Sequence, residues 1–168
     1  DCLDTIAAEA PDAEVIVANG PSTDGTTGMI DDRDDVDVLI EIASRTRNVA
    51  RNAGLDAATG DVIALVGDDL RLEPGWLEAM VDGLTDAPVV TGPIHRTLRG
   101  GVTTESPHEE RIAGRTVTAI SGNNVAFRRA IAETLDGFDE YLETGGAWDV
   151  AHRLAATEQP VAWRSSMS

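Results

Sequence analysis

Short apolar runs alternate along the chain with stretches in which apolar residues recur every three or four positions. Residues 62–66, Val-Ile-Ala-Leu-Val, follow a Gly-Asp turn without a polar break, which predicts a strand buried on both faces of a mostly parallel sheet. Runs at 14–18, 36–42, 88–94 and 161–163 predict further strands, and 116–120 alternates as a strand does. Helical spacing appears at 1–10 through Leu3, Ile6, Ala7 and Ala10, and at 44–59 through Val49, Ala50, Ala53, Leu55 and Ala58. Gly54 weakens the middle of the second of these helices. Pro74 at a first helical position, followed by Trp76, Leu77, Met80 and Val81, predicts a helix that packs back on the sheet. Residues 130–135 predict a short helix and 145–154 the start of another. Residues 95–115 are polar and weakly patterned, as in a mobile loop or a short β-ribbon. No repeat or linker divides the chain, so the pattern predicts one α/β sandwich.

Composition narrows the setting. At 168 residues the chain suits a single domain, because a chain of this size buries roughly 70% of its unfolded surface. With 42% apolar residues it is globular. The net charge is −17: all 13 basic residues are arginine, and 30 acids are spread from end to end. Dispersed acidity costs stability through self-repulsion, which salt relieves, since the Debye length falls to about 3 Å at 1 M. The charge therefore predicts adaptation to a salty cytoplasm, of the haloarchaeal kind. It argues against nucleic acid and anionic membrane surfaces as partners. Cys2 is the only cysteine, and no apolar run reaches the ~20 residues of a membrane span. A cytoplasmic protein is expected, with a peripheral place at the inner membrane face and homo-oligomerisation left open.

Candidate chemistry collects at the end of the 62–66 strand, on Asp68 and Asp69. Open α/β sheets bind ligands at the carboxyl ends of their strands. Two acids there suit a hard divalent cation, which takes one or two carboxylates and completes its shell with phosphate oxygens and water. Residues 19–26, Asn-Gly-Pro-Ser-Thr-Asp-Gly-Thr, form a loop of small polar residues whose backbone can approach a ligand closely. Arg47, Arg51 and Asn52 lie in the first half of the 44–59 helix, where a guanidinium fork suits surface acids or a diphosphate. Residues 31–37 hold five aspartates but lack the Gly and terminal Glu of a calcium loop, so a solvated acidic surface is expected. His95, His108 and His152 have no metal-ligand spacing.

Four stretches, read in order, resemble a family 2 glycosyltransferase of the GT-A fold, a three-layer α/β/α sandwich. Residues 14–26 resemble the family's strand and acidic Gly-Ser-Thr-Asp-Gly-Thr loop. Ala50-Arg51-Asn52-Ala53-Gly54 with Ala58-Thr59-Gly60-Asp61 resembles its Ala-Arg-Asn-x-Gly and Ala-Thr-Gly-Asp pair. Residues 65–77 resemble its strand, acid cluster and Pro-Gly-Trp-Leu helix, and residues 122–140 its Gly-Asn-Asn-x-Ala-Phe-Arg-Arg and Gly-Gly-Phe-Asp-Glu segments.

The resemblance implies a metal-assisted, inverting transferase that moves a sugar from a nucleoside-diphosphate sugar to a hydroxyl of a carbohydrate or lipid-linked acceptor. By position, Asp69 matches the acid that contacts Mn²⁺ or Mg²⁺, and Asp68 the acid near the ribose or sugar. Asp24 and Arg51 match the nucleotide side, while Gly122, Asn123 and Asn124 match the wall beside the transferred sugar. A relative that binds nucleotide sugar or a protein partner without catalysis is the alternative. The departures are specific. Asn19 stands where the family has a base-contacting aspartate, and Gly67 stands where the metal motif has its first acid. Gly146 and Ala147 occupy the Glu-Asp pair that holds the catalytic base, so a one-residue shift makes Asp149 the candidate base, with helix capping its alternative role. The family's opening Val-Ile-Pro-x-Tyr-Asn strand does not precede Cys2, and a domain incomplete at its N-terminus is expected.

Overall fold

The computed structural model describes residues 1–99 and 101–168; Gly100, within the 95–115 stretch, lies outside the described residues. The chain runs α1 (Cys2–Glu9), β1 (Ile16–Asn19), α2 (Thr26–Asp31), β2 (Val38–Glu41), α3 (Arg47–Ala57), β3 (Val62–Val66), α4 (Trp76–Asp86) and β4 (Val89–Thr91). Four short strands follow, β5 (His95–Leu98), β6 (Gly101–Thr104), β7 (Glu109–Ile112) and β8 (Arg115–Thr118). Then come β9 (Asn124–Arg128), α5 (Arg129–Leu135), α6 (Gly146–Ala156) and β10 (Val161–Trp163).

The central sheet has the order β10-β4-β9-β3. Strand β10 is parallel to β4, and β9 runs antiparallel between β4 and β3. Three of its strands therefore share one direction, the mostly parallel sheet that the sequence predicts. Period-two alternation splits the core into two layers. Ile63, Val89, Val125 and Phe127 face Val150, Ala151 and Leu154 of α6 and Ala132 of α5. Val90, Ala126 and Ala162 face Trp76, Met80 and Leu84 of α4. Each such Val, Leu or Phe side chain taken out of water contributes roughly 1.5–3 kcal/mol.

Several expectations change. The strand at the middle of the sheet is β9, in the Asn-Asn-Val-Ala-Phe-Arg stretch, to which the sequence pattern assigns no strand. Its polar first residue hides the run: Asn124 is 2% exposed and occupies a core position through hydrogen bonds. The alternating 116–120 segment does give a strand, β8, which pairs with β7 outside the central sheet, and β5 pairs with β6 in the same way. Thus the β-ribbon form of the 95–115 stretch is the one adopted. Val117, 2% exposed, fastens its hairpin against the α6 layer. Strand β3 is not buried on both faces: Ala64 is exposed. The reason is topological, since β3 is an edge of this sheet and β1 pairs only with β2 in a separate parallel pair. Helix α1 reaches the end of β3 through the Cys2 thiol, which donates to the Gly67 carbonyl at 3.3 Å, yet it buries no residue. Finally, Pro74 precedes the helix instead of opening it, because Gly75, at φ 92°, caps α4.

Candidate functional site

Asp68 and Asp69 follow β3 across Gly67, both exposed and, among the described residues, in no ion pair. Gly67 holds the corner. Its N–H donates to the Asn123 carbonyl at 2.9 Å, and a Cβ there would lie 3.0 Å from the Asn123 Cβ and 3.1 Å from Asp69 Oδ1. A glycine at this corner thus leaves room for Asp69 and Asn123 to come close to each other. The neighbouring thiol feels this corner: burial, then the Asp68 carboxylate, pushes the Cys2 thiol up. No group of three His, Cys, Asp or Glu side chains with metal-holding geometry exists among the described residues. Two exposed carboxylates without a cationic partner still fit Mn²⁺ or Mg²⁺, whose other positions go to phosphate and water.

On the other side of Asn123 lies a cavity of about 520 Å³. Arg47, Asn48 and Arg51 of α3 line it, with Arg96 and Glu105 from the β5–β6 region, the Ser121-Gly122-Asn123 turn, and residues 143–147 at the start of α6. Arg51 is its floor. The guanidinium donates to Asn48 Oδ1 at 3.0 Å and Asn123 Oδ1 at 2.9 Å, and it sits 5.1 Å above the Phe138 ring. Two glycines make room: a Cβ on Gly122 would come within 2.8 Å of Arg51 Nη2, and one on Gly146 within 2.5 Å of Asn48 Nδ2. Burial, reinforced by the Arg47 charge, lowers the Arg51 pKa.

The other predicted residues are placed as follows. Arg51, Gly122 and Asn123 line the cavity together. Asn124 does not: its amide accepts from Trp76 Nε1 at 2.9 Å and donates to the carbonyls of Pro93 and Met167, joining α4, β4 and the tail behind the site. Asn19 donates to Thr27 Oγ1 at 2.9 Å at the end of β1. Asp24 accepts from the Thr26 hydroxyl and backbone N–H, which hold its carboxyl below the usual range and tie the loop at the start of α2. Asp149 is not among the cavity residues; its carboxylate pairs with Arg153 one turn on, at 2.7 Å. It does not cap α6 either, since Gly145 does.

Sequence reasoning missed Asn48, Glu105 and Glu143. Asn48 is 3% exposed and donates to the carbonyls of Asp139 and Leu142, while Asn52, one turn on, donates to the Phe138 carbonyl and accepts from the Phe138 N–H. Their i, i+4 spacing on one helix was the available signal. Glu143 and Glu105, the two acids lining the cavity, lie in stretches with no pattern of their own.

The sequence model described as Glycosyl transferase family 2 matches residues 1–136. The chain belongs to this family. Among curated relatives, glycosyltransferase AglE of Haloferax volcanii is 27% identical over 157 residues, covering 86% of this chain and 51% of that protein. The glucosyl-dolichyl phosphate glucuronosyltransferase of the same organism is 28% identical over 166 residues, covering 89% and 52%. The family 2 chain described here therefore spans about half the length of these relatives. Among solved structures, the mannosyltransferase PcManGT of Pyrobaculum calidifontis, in complex with GDP-Man and Mn²⁺, superposes with a TM-score of 0.74 at 22% identity, over 98% of this chain and 50% of that one. Residues 1–349 of S. aureus TarS give 0.71 at 15%, over 98% and 53%. The GT-A sandwich expected from the sequence is the fold observed.

Proposed function

We propose that the chain carries the donor-binding part of a metal-assisted glycosyltransferase that moves a sugar, with inversion, from a nucleoside-diphosphate sugar to an acceptor hydroxyl. The observation that carries this reading is the pair of carboxylates, Asp68 and Asp69, in no ion pair among the described residues and one glycine away from Asn123 and the arginine-floored cavity. The divalent cation, when bound, neutralises charge that grows on the departing diphosphate. Asp69 holds it, and Asp68 stands toward the ribose or sugar. Asn19 accepts a base N–H once its own amide is oriented by Thr27, and the Asp24 loop and Arg51 flank the nucleotide. Gly122 and Asn123 wall the transferred sugar, with Asn124 setting that wall from behind. A carboxylate takes the proton of the acceptor hydroxyl; the oxygen attacks the anomeric carbon, and the bond to the diphosphate breaks with its electron pair leaving on the diphosphate.

Asp149 is the proposed base; its carboxylate is now turned to Arg153, so the role requires a side-chain rotation toward the cavity. That pairing also favours a second reading, a non-catalytic relative that binds nucleotide sugar. The acidic surface and the Haloferax relatives support a salt-adapted cytoplasmic setting; nothing supports the membrane-face placement. No described helix is long and apolar enough to cross a membrane. The test is donor turnover at high KCl with a panel of UDP, GDP and dTDP sugars. Turnover lost in Asp149→Asn supports the assignment; turnover kept there but lost in Glu143→Gln moves the base to Glu143; no turnover of any donor leaves the binding reading.

A further inference from the structure

Among the described residues the buried polar side chains are Asn48, Thr91 and Asn124. Asn48 supports the Arg51 floor, and Asn124 ties the rear of the site to α4 and the tail. Thr91, the last residue of β4, is 0% exposed and lines no part of the cavity. Its hydroxyl donates to the Asn124 carbonyl at 2.8 Å and accepts from the Ser121 N–H at 3.0 Å. It thus joins the two ends of the Ser121-Gly122-Asn123-Asn124 turn, where the cavity meets the Asp68–Asp69 corner. The turn closes weakly on its own. The Asn124 N–H reaches the Ser121 carbonyl at 3.4 Å, and the Asn123 N–H reaches Ser121 Oγ at 3.4 Å, both beyond the usual separation of about 2.9–3.0 Å. The two Thr91 bonds are shorter and lie toward the core, where a hydrogen bond is stronger. Asn123 is held in addition by the Gly67 N–H and the Arg51 guanidinium. Ser121 and Gly122 lack such anchors: Thr91 Oγ1 is the one acceptor of the Ser121 N–H among the described residues, and Gly122, without a Cβ, has an intrinsically free backbone.

We propose that Thr91 is a positioning residue for the transferred sugar: from behind the site its hydroxyl ties Ser121 to the anchored Asn124 and so holds the Gly122 part of the wall in place. The inference rests on the glycosyltransfer reading above, in which Gly122 and Asn123 wall that sugar. The nucleotide does not depend on Thr91, because the Asp68–Asp69 corner and Arg51 keep their own bonds to Asn123. A loosened wall therefore lowers what the sugar adds to binding and leaves the share of the nucleotide.

Calorimetric titration with Mn²⁺ at a fixed KCl concentration compares UDP-glucose, GDP-mannose and dTDP-glucose with free UDP, GDP and dTDP, and reads the gain in affinity that the sugar brings. Thr91→Val keeps the shape of the side chain and removes the hydroxyl; it is expected to cut that gain about fivefold, or to abolish a smaller one, while free nucleotide affinity stays within about twofold. Thr91→Ser keeps the hydroxyl without the methyl group and restores the gain, although its thermal midpoint falls. In the unsubstituted chain the Ser121 amide should exchange with deuterium at least about tenfold more slowly than the exposed Thr144 amide. Equally fast exchange would overturn the proposal even where Thr91→Val does not fold. Losses in Thr91→Val and Thr91→Ser that follow their thermal midpoints would overturn it too, leaving Thr91 a packing residue. So would a sugar gain untouched by Thr91→Val, or a loss shared equally by free nucleotide and donor. Nucleotide binding without a gain from any of the three sugars overturns this inference alone; absence of Mn²⁺-dependent nucleotide binding in the unsubstituted chain counts against the donor reading, and the inference falls with it.

Discussion

Among the described residues lie two cavities of nearly equal size, about 520 Å³ and 540 Å³, that differ in sign. The first has three arginines and two glutamates on its walls. The second, between the end of α1 and the β1–β2 pair, is lined by Asp12, Glu14, Asp34, Asp35 and Asp37 and by no basic residue. Volume does not tell them apart; charge against background does. In a protein with an acidic surface everywhere, a negative hollow is more of the same surface, whereas a positive one requires that arginines be concentrated against the trend. Of these two, the positive cavity adjoins the Asp68–Asp69 corner, through Asn123. The proposed function places its phosphorylated donor at the positive hollow of the two.

The contrast can be broken from the arginine side first. Gly122→Val puts side-chain carbon where Arg51 Nη2 lies 2.8 Å from the position of the first added atom, so the guanidinium must leave its place. Loss of anion binding in the cavity is expected, with destabilisation of about 1–3 kcal/mol in urea unfolding. An unchanged affinity and midpoint would mean the floor of the cavity is looser than its hydrogen bonds indicate. Asn48→Ala is next: it strands the Asp139 and Leu142 carbonyls and removes one Arg51 acceptor, at a cost of about 1–3 kcal/mol. Its ligand effect should be smaller, because Asn123 still holds Arg51.

The acidic hollow responds least. Arg33 donates to Asp35 at 2.6 Å and 2.7 Å, and this bond holds the Asp35 carboxyl below its usual range. A depressed folded pKa contributes stability above the ordinary carboxylate range, and this is lost as pH falls through the folded value. The pair is half-buried at the surface and still within reach of salt, so Asp35→Asn should change acid unfolding slightly, in that window only, and the difference should fade as KCl rises. An effect that persists at high salt, or that weakens nucleotide binding, would contradict the assignment of this hollow to solvated surface.

Much of the fold was legible because apolar runs and helical spacing report burial directly. β4, α4 and β10 fall within or close to the predicted stretches, and residues 50–61, 65–77 and 122–140 carried the family's marks. The middle strand β9 was not legible, because Asn124 opens it and a buried asparagine satisfied by Trp76, Pro93 and Met167 reads as a loop residue in sequence. Strand β3 read as fully buried because its apolar composition says nothing about which edge lacks a partner. At the candidate site, Asp69 and Arg51 stood out in the sequence as single residues, but their relation did not. It depends on Gly67 and Gly122, whose lack of a side chain brings Asn123 between them. The bond from Asp149 to Arg153 was open to inference from their i, i+4 spacing; its consequence for the catalytic base needed the cavity.

The most direct measurement is Mn²⁺ binding followed by the loss of the free-ion paramagnetic signal, with UDP or GDP present, in the native chain and in Asp69→Ala. The account predicts that nucleotide strengthens Mn²⁺ binding in the native chain and that Asp69→Ala weakens the ternary complex by about 100-fold while the thermal unfolding midpoint is retained. Equal Mn²⁺ and nucleotide affinity in the two proteins would contradict it, since the carboxylate at the end of β3 would then hold nothing.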